Sequence, residues 1–239
     1  MLVEHGNTCV LVDCGFSLSS VAERLARLGK TLEDLDAVLV THEHSDHLRG
    51  VGTLARRLGL PVYMTAGTAV QCRNEVIPDL CLFNSHENFT IDDLEILPFP
   101  VPHDAREPSQ FVFSDGARRL GLLTDTGHIT RHIETMLDGC DALVLECNHD
   151  TRMLAEGPYP PALKRRVGGG QGHLSNDQAA ALLERLDCRR LQHIVVAHVS
   201  EKNNTEVFAR QALAGVLGCE SGWIGVCDQI LGLEWRALN

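Results

Sequence analysis

The chain has 239 residues, 44% of them hydrophobic and 22% charged, enough for one large α/β domain with a substantial core. A formal charge of −11 argues against an extended basic face for nucleic acid but leaves room for a small phosphate pocket beside metal ions. Nine cysteines stand at irregular spacings without a Cys-x-x-Cys, and Cys9, Cys140, Cys147 and Cys227 lie in or beside apolar runs. That usage predicts reduced, buried thiols, and with no leader-like or membrane-length apolar stretch it predicts a soluble, cytoplasmic protein.

In chain order, residues 8–13 read as a strand ending in a turn at Cys14-Gly15. A helix follows with a capping box at Ser20-x-x-Glu23, an apolar face of Val21, Leu25 and Leu28, and a stop at Gly29. Residues 37–40 read as a buried strand, and Val51, Leu54, Ala55 and Leu58 as a helix closed by Gly59. Residues 61–64 predict a short strand and 66–73 a helix, and residues 88–124 alternate as short strands with a hairpin turn at Ser114-Asp115-Gly116. Residues 129–137 predict a helix and 142–145 a strand. Ser175-x-x-Gln178 caps a helix with the stripe Ala179, Leu182, Leu183 and Leu186, and Asn203-x-x-Glu206 opens the last one. Two strands, residues 223–226 and 230–235, are expected to finish the chain. The chain thus reads as two similar βα halves without a low-complexity linker, an α/β domain over residues 1–239.

Directly after the strand at 37–40 comes Thr41-His42-Glu43-His44-Ser45-Asp46-His47. His42 and His44 alternate along an extended backbone and can point to one side, while Asp46 and His47 follow the bend toward a second point. Imidazole and carboxylate together suit zinc, manganese or iron better than calcium or magnesium.

HxHxDH after a strand resembles the signature of the metallo-β-lactamase superfamily. The resemblance implies an αββα sandwich and two metal ions, with three further ligands: a His, a bridging Asp and a last His. His103, Asp125 and His198 each follow a short apolar run in that order. One ion would be held by His42, His44 and His103, the other by Asp46, His47 and His198, with Asp125 shared. Longer motifs narrow the likeness: Asp13–Ser17 (DCGFS), Thr41–Gly50 (THEHSDHLRG), Thr124–Gly127 (TDTG), Leu145–Asp150 (LECNHD), Gly172–Asn176 (GHLSN) and the stretch from His198 to Asn204. These are similar to the YycJ (WalJ)-type exonuclease group and, more distantly, to PhnP-type phosphodiesterases and tRNase Z. Members of that group usually begin with a strand upstream of the positions matching Leu2-Val3-Glu4, so either the start has been called late or the first strand is absent, in which case the edge of the first sheet is expected to lack a partner.

The resemblance gives Asp46 a part in catalysis as well as in metal binding, and gives Glu146 and His173 the handling of the leaving group. Asp13 reads equally as the support of a ligand imidazole or as a turn cap. The run Lys164-Arg165-Arg166 dissolves into glycines before His173; it reads as a solvated loop or, placed there, as a grip on phosphate. Asn204 is a candidate for the substrate pocket, although Asn203 and Asn204 also read as helix caps. The implied activity is a zinc- or manganese-dependent phosphodiesterase, a nuclease of DNA-exonuclease character, with nucleic acid as partner and no membrane. A hydrolase of small esters, thioesters or lactones, or of a small cyclic phosphodiester, stays open on the same scaffold, as does a scaffold without catalysis.

Overall fold

Val10-Leu11-Val12 and Ala37-Val38-Leu39 do not alternate; every residue is apolar, the pattern of strands covered on both faces. In the computed structural model, which describes residues 1–72 and 76–239, these runs are central strands. The chain divides into two compact units, Met1–Pro100 with Ala105–Ser109, and Val101–Asp104 with Gln110–Asn239.

The first unit contains β1 (Leu2–His5), β2 (Thr8–Val12), α1 (Leu18–Arg27), β3 (Ala37–Leu39), α2 (Ser45–Leu48), α3 (Val51–Leu58), β4 (Pro61–Thr65), α4 (Ala66–Gln71) and β5 (Asp79–Phe83). The strands form a five-stranded sheet in the order β1-β2-β3-β4-β5. β1 pairs antiparallel with β2, and the remaining pairs are parallel. β1 is therefore one edge, and Met1 extends its ladder, Val12 N donating to Met1 O at 2.8 Å. Val21, Leu25, Val51, Leu54 and Ala55 from α1 and α3 pack with Val38, Val62 and Met64 in one buried cluster. A hairpin of β6 (Phe89–Ile91) and β7 (Leu94–Pro100) follows.

Several local expectations change. α1 is capped by Ser17, whose hydroxyl accepts from Ser20 N, because Ser17 has the extended backbone a cap needs; Ser20 is already inside the helix. α4 is described to Gln71, and its expected end at Arg73 lies outside the described residues. β5 has no counterpart in the sequence reading: it exposes Leu80 and Leu82, so it lacks the buried apolar run of the central strands.

The second unit holds β8 (Ser109–Ser114, Ser109 itself counting with the first), β9 (Arg119–Leu123), α5 (Arg131–Leu137), β10 (Ala142–Glu146), α6 (Thr151–Glu156), α7 (Pro161–Val167), α8 (Asn176–Leu183), β11 (His193–Ala197), α9 (Glu206–Leu217) and β12 (Gly225–Val226). These strands run in the order β12-β11-β10-β9-β8. β8 and β9 are the expected hairpin, whose turn Asp115 braces by accepting from Ala117 N and Arg118 N. β9 to β12 are parallel. The Ser175–Gln178 capping box is present, and Ala179, Leu182, Leu183 and Leu186 are buried. α9 is capped by Thr205, not Asn203. Only Gly225–Val226 of the two expected terminal strands forms. Asp228 accepts from Ile230 N and Leu231 N and turns the chain there, a local bond that competes with an extended strand. Cys227 is exposed, contrary to expectation, while Cys9, Cys140 and Cys147 are buried.

One contact sets the entrance to the histidine cluster. A Cβ on Gly15 would stand 1.7 Å from the Asp46 carbonyl oxygen, so only glycine lets the turn after β2 close on α2. Gly15→Ala should destabilise the protein by about 1–3 kcal/mol or more, as overpacking does. Gly215→Ala, at an open position in α9, should stabilise by up to about 1 kcal/mol. Thermal unfolding of both variants checks this; parent-like melting of Gly15→Ala would contradict it.

Candidate metal centre and acid–base site

The first unit supplies one histidine cluster. β3 ends at Leu39, the chain bends at Thr41, and His44, in an extended conformation, caps α2, with Asp46 in the first turn, where the helix favours a carboxylate. Asp13, at the end of β2, has φ 58°, a left-handed conformation that costs a non-glycine residue free energy. Its carboxylate accepts from Thr41 N and Thr41 Oγ1, each at 2.8 Å, and from His47 Nδ1 at 2.8 Å. With its proton directed to Asp13, Thr41 Oγ1 is left to accept from His42 Nδ1 at 2.9 Å. His42 and His47 are thereby held with Nδ1 as the donor, which leaves Nε2 as the ring nitrogen of ligand type. Nε2 of His42 lies 2.9 Å from Nδ1 of His44, so the two nitrogens converge. Two such atoms can both sit at the about 2.0–2.1 Å Zn–N distance from one ion. Asp13 thus buttresses the ligand-type imidazoles, the first of the two readings its position allowed.

The second unit gathers His103, Asp125, Glu146, His173 and His198. Asp125 follows β9 and His198 follows β11, and both are left-handed, with φ 53° and 56°. Asn148 Nδ2 holds the strained turn at His198 by donating to its carbonyl at 3.0 Å. Glu146, the last residue of β10, is fully buried and uses both carboxylate oxygens twice. Oε1 accepts from His173 Nδ1 and His198 Nδ1, each at 2.8 Å, and Oε2 accepts from Thr126 N and Leu174 N, each at 3.1 Å. Burial alone would push this carboxyl up; the bonds from the two imidazoles outweigh it and hold Glu146 below the usual carboxylate range. Both rings therefore present Nε2 away from Glu146. His103 gives Nδ1 to the Gly172 carbonyl at 3.1 Å, with Nε2 3.9 Å from Asp125 Oδ1. Burial lowers the His103 pKa, which favours the neutral ring that ligates metals. One ligand atom from each of Asp125, Glu146, His173 and His198 lies within 4.8 Å of the others. The donor chemistry of His42, His44 and His47, and of His103, Asp125 and His198, fits divalent ions that accept imidazole and carboxylate, whereas Glu146 and the Nδ1–H groups of His173 and His198 are committed to one another.

The substrate-binding positions are placed otherwise than expected. Lys164, Arg165 and Arg166 are not in a loop but form the last turn of α7, where cations complement the helix end. Lys164 Nζ donates to the Ala155 carbonyl and Arg166 Nε to Asp104, each at 2.6 Å, while Arg165 is exposed. Asn204 is buried; its amide donates to the Cys147 carbonyl and to Asn176 Oδ1, and its oxygen accepts from Asn176 Nδ2 and Thr205 N. Its groups are spent inside the fold. Thr41 is the functional residue that sequence reasoning passed over: its place at the head of the histidine motif was visible, but nothing in one sequence pairs it with Asp13. His149, from the LECNHD motif, is buried with Nδ1 unpartnered.

A family model described as a β-lactamase superfamily domain matches residues 8–196, and the chain belongs to that superfamily, in its metallo-β-lactamase fold. Among its relatives is the exodeoxyribonuclease YycJ of Bacillus anthracis, 37% identical over 225 residues, which cover 92% of this chain and 85% of that protein. The exodeoxyribonuclease WalJ of Streptococcus pneumoniae serotype 2 (strain D39 / NCTC 7466) is 34% identical over 230 residues, 94% of this chain and 86% of that protein. The crystal structure of the metallo-beta-lactamase fold protein YhfI from Bacillus subtilis superposes with a TM-score of 0.73 at 19% identity, covering 98% of this chain and 90% of that one.

If Asp13 orients His47 and, through Thr41, His42, then Asp13→Asn should weaken metal binding about 10–100-fold, as loss of a supporting carboxylate does. Asn tolerates the left-handed backbone, so the fold should be kept. Competition of zinc between the protein and a chelator measures the affinity, and an unchanged affinity would contradict the assignment.

Proposed function

We propose that this chain is a metal-dependent phosphodiesterase that degrades DNA as an exonuclease. The observation that carries the reading is Glu146: one buried carboxylate orients both His198, a ligand-type residue at a strand end, and His173, which is free to serve the leaving group. A hydrolase of small esters or lactones has no need of that second histidine. The names of the two relatives matching most of this chain support DNA as the substrate.

In this reading His42, His44 and His103 would hold one zinc or manganese ion, Asp46, His47 and His198 would hold the other, and Asp125 would serve both. Such ions, when bound, supply a nucleophile from water near neutral pH and neutralise charge on the phosphoryl oxygens. The chain's own residues do the rest. Glu146 fixes the Nδ1–H of His173, so that in the doubly protonated ring the Nε2 proton is the one directed to the leaving oxygen. Asp13 and Thr41 keep His42 and His47 from rotating. Asp46, 69% exposed in its side chain, reaches the solvent side where substrate arrives. A cytoplasmic setting goes with this reading, since all nine cysteines are free thiols. No helix among the described residues is long and apolar enough to cross a membrane.

His173→Ala should keep its metals by elemental analysis yet lose DNA hydrolysis on the order of 10²–10⁴-fold, the range for a lost general acid. The loss should shrink on a nitrophenyl phosphodiester, whose leaving group needs little protonation. An equal loss on both substrates would make His173 a phosphate binder. Thioester or lactone turnover with no cleavage of end-labelled DNA at any zinc or manganese concentration would overturn the phosphodiesterase reading.

A further inference from the structure

The second unit contains a cavity of about 280 Å³ whose lining includes His173, His198, Tyr159, Ser200, Glu201 and Lys202. It opens directly beside the acid–base pair, and neither Tyr159 nor Lys202 has any part in the chemistry described above. Lys202 Nζ stands over one face of the Tyr159 ring, 6.0 Å from its centre, so an aromatic ring and a cation line the cavity together.

The backbone that carries both groups is fixed. Tyr159 sits between Pro158 and Pro160-Pro161, whose rings fix the backbone on either side of it. A Cβ on Gly157 would lie 2.5 Å from Asn203 Oδ1, so glycine allows this segment to close on the turn that carries Lys202. That turn is tied to the residues after β10: Ser200 N donates to Asn148 O, and Asp150 N to Asn203 O, each at 2.9 Å. A preset aromatic face costs little entropy on binding a flat partner.

We propose that this cavity seats the terminal nucleotide of a strand, its base on Tyr159 and its phosphate toward Lys202. The inference rests on the phosphodiesterase reading and names how that site would take a strand by its end. Three observations select one nucleotide over a longer run. The volume lies just below the about 300–1,000 Å³ of small-molecule sites. One cation lines it, and Glu201 in the same lining repels a second phosphate. The basic turn of α7, the alternative grip, has two of its three cations committed to Ala155 and Asp104. Stacking tolerates any base, so the pocket recognises an end and not a sequence.

Calorimetric binding of deoxyadenosine monophosphate and of 2-deoxyribose 5-phosphate to the zinc-loaded protein tests this. The parent should bind the nucleotide roughly 5- to 150-fold more tightly than the base-free sugar phosphate, the range for one base stacked on an aromatic side chain. Tyr159→Ala should erase that difference, Tyr159→Phe should keep it, and Lys202→Ala should weaken both ligands alike. Thermal unfolding shows that each variant is folded. Equal binding of the two ligands by the parent, or a difference that survives Tyr159→Ala, overturns the proposal. Hydrolysis of a nitrophenyl phosphodiester by the parent separates the two readings. If it proceeds while the base makes no difference, only the pocket assignment fails. If it is absent while nucleotide binding depends on Tyr159, only the phosphodiesterase reading fails.

Discussion

The site depends on a buried carboxylate that is fully satisfied. Glu146 is taken out of water at the end of β10, where an ionised acid is stable only if every oxygen is hydrogen-bonded. Two backbone N–H groups and two imidazoles meet that need. The same bonds determine which nitrogen of His173 and of His198 carries a proton and where the other one points. Removing the carboxylate would leave four donors without an acceptor. Asp13 does the equivalent work for His42 and His47, so each unit orients its own histidines through one acidic residue at a strand end.

Backbone strain collects at these same positions. Four non-glycine residues among those described have positive φ, and three of them are Asp13, Asp125 and His198. Each follows a buried strand, and each must reverse its direction so that a polar side chain leaves the sheet. A left-handed residue of this kind costs of order 1–3 kcal/mol, and surrounding hydrogen bonds must hold it. Asp13 accepts them from Thr41 and His47; His198 accepts one from Asn148 and donates one to Glu146. Strain at these three polar positions sets side-chain direction at a cost in stability.

The metal-type residues were legible because ligand chemistry leaves short-range traces: His42, His44, Asp46 and His47 lie within one turn of sequence, and His103, Asp125 and His198 each end an apolar run. The capping box at Ser175 was legible for the same reason, since both partners are local. The start of α1 was not, because Ser17, Ser19 and Ser20 all offer a hydroxyl and only the backbone conformation selects Ser17. α7 was invisible as a helix: none of its residues is buried, so there is no apolar period, and its glycine-rich continuation reads as loop. β5 failed for the opposite reason, exposing leucines where a central strand hides them. The roles of Thr41 and Asn204, like the pairing of Tyr159 with Lys202, arise from residues remote in sequence and needed the fold.

The central claim is that the oriented histidines and Asp125 bind two divalent ions. Titration of metal-free protein with zinc, followed by calorimetry and by elemental analysis after dialysis, tests it most directly. The account predicts two ions per chain for the parent, and for Asp125→Ala a single weak site or none, because only that residue serves both. One ion per chain in the parent, unchanged in Asp125→Ala, would contradict it.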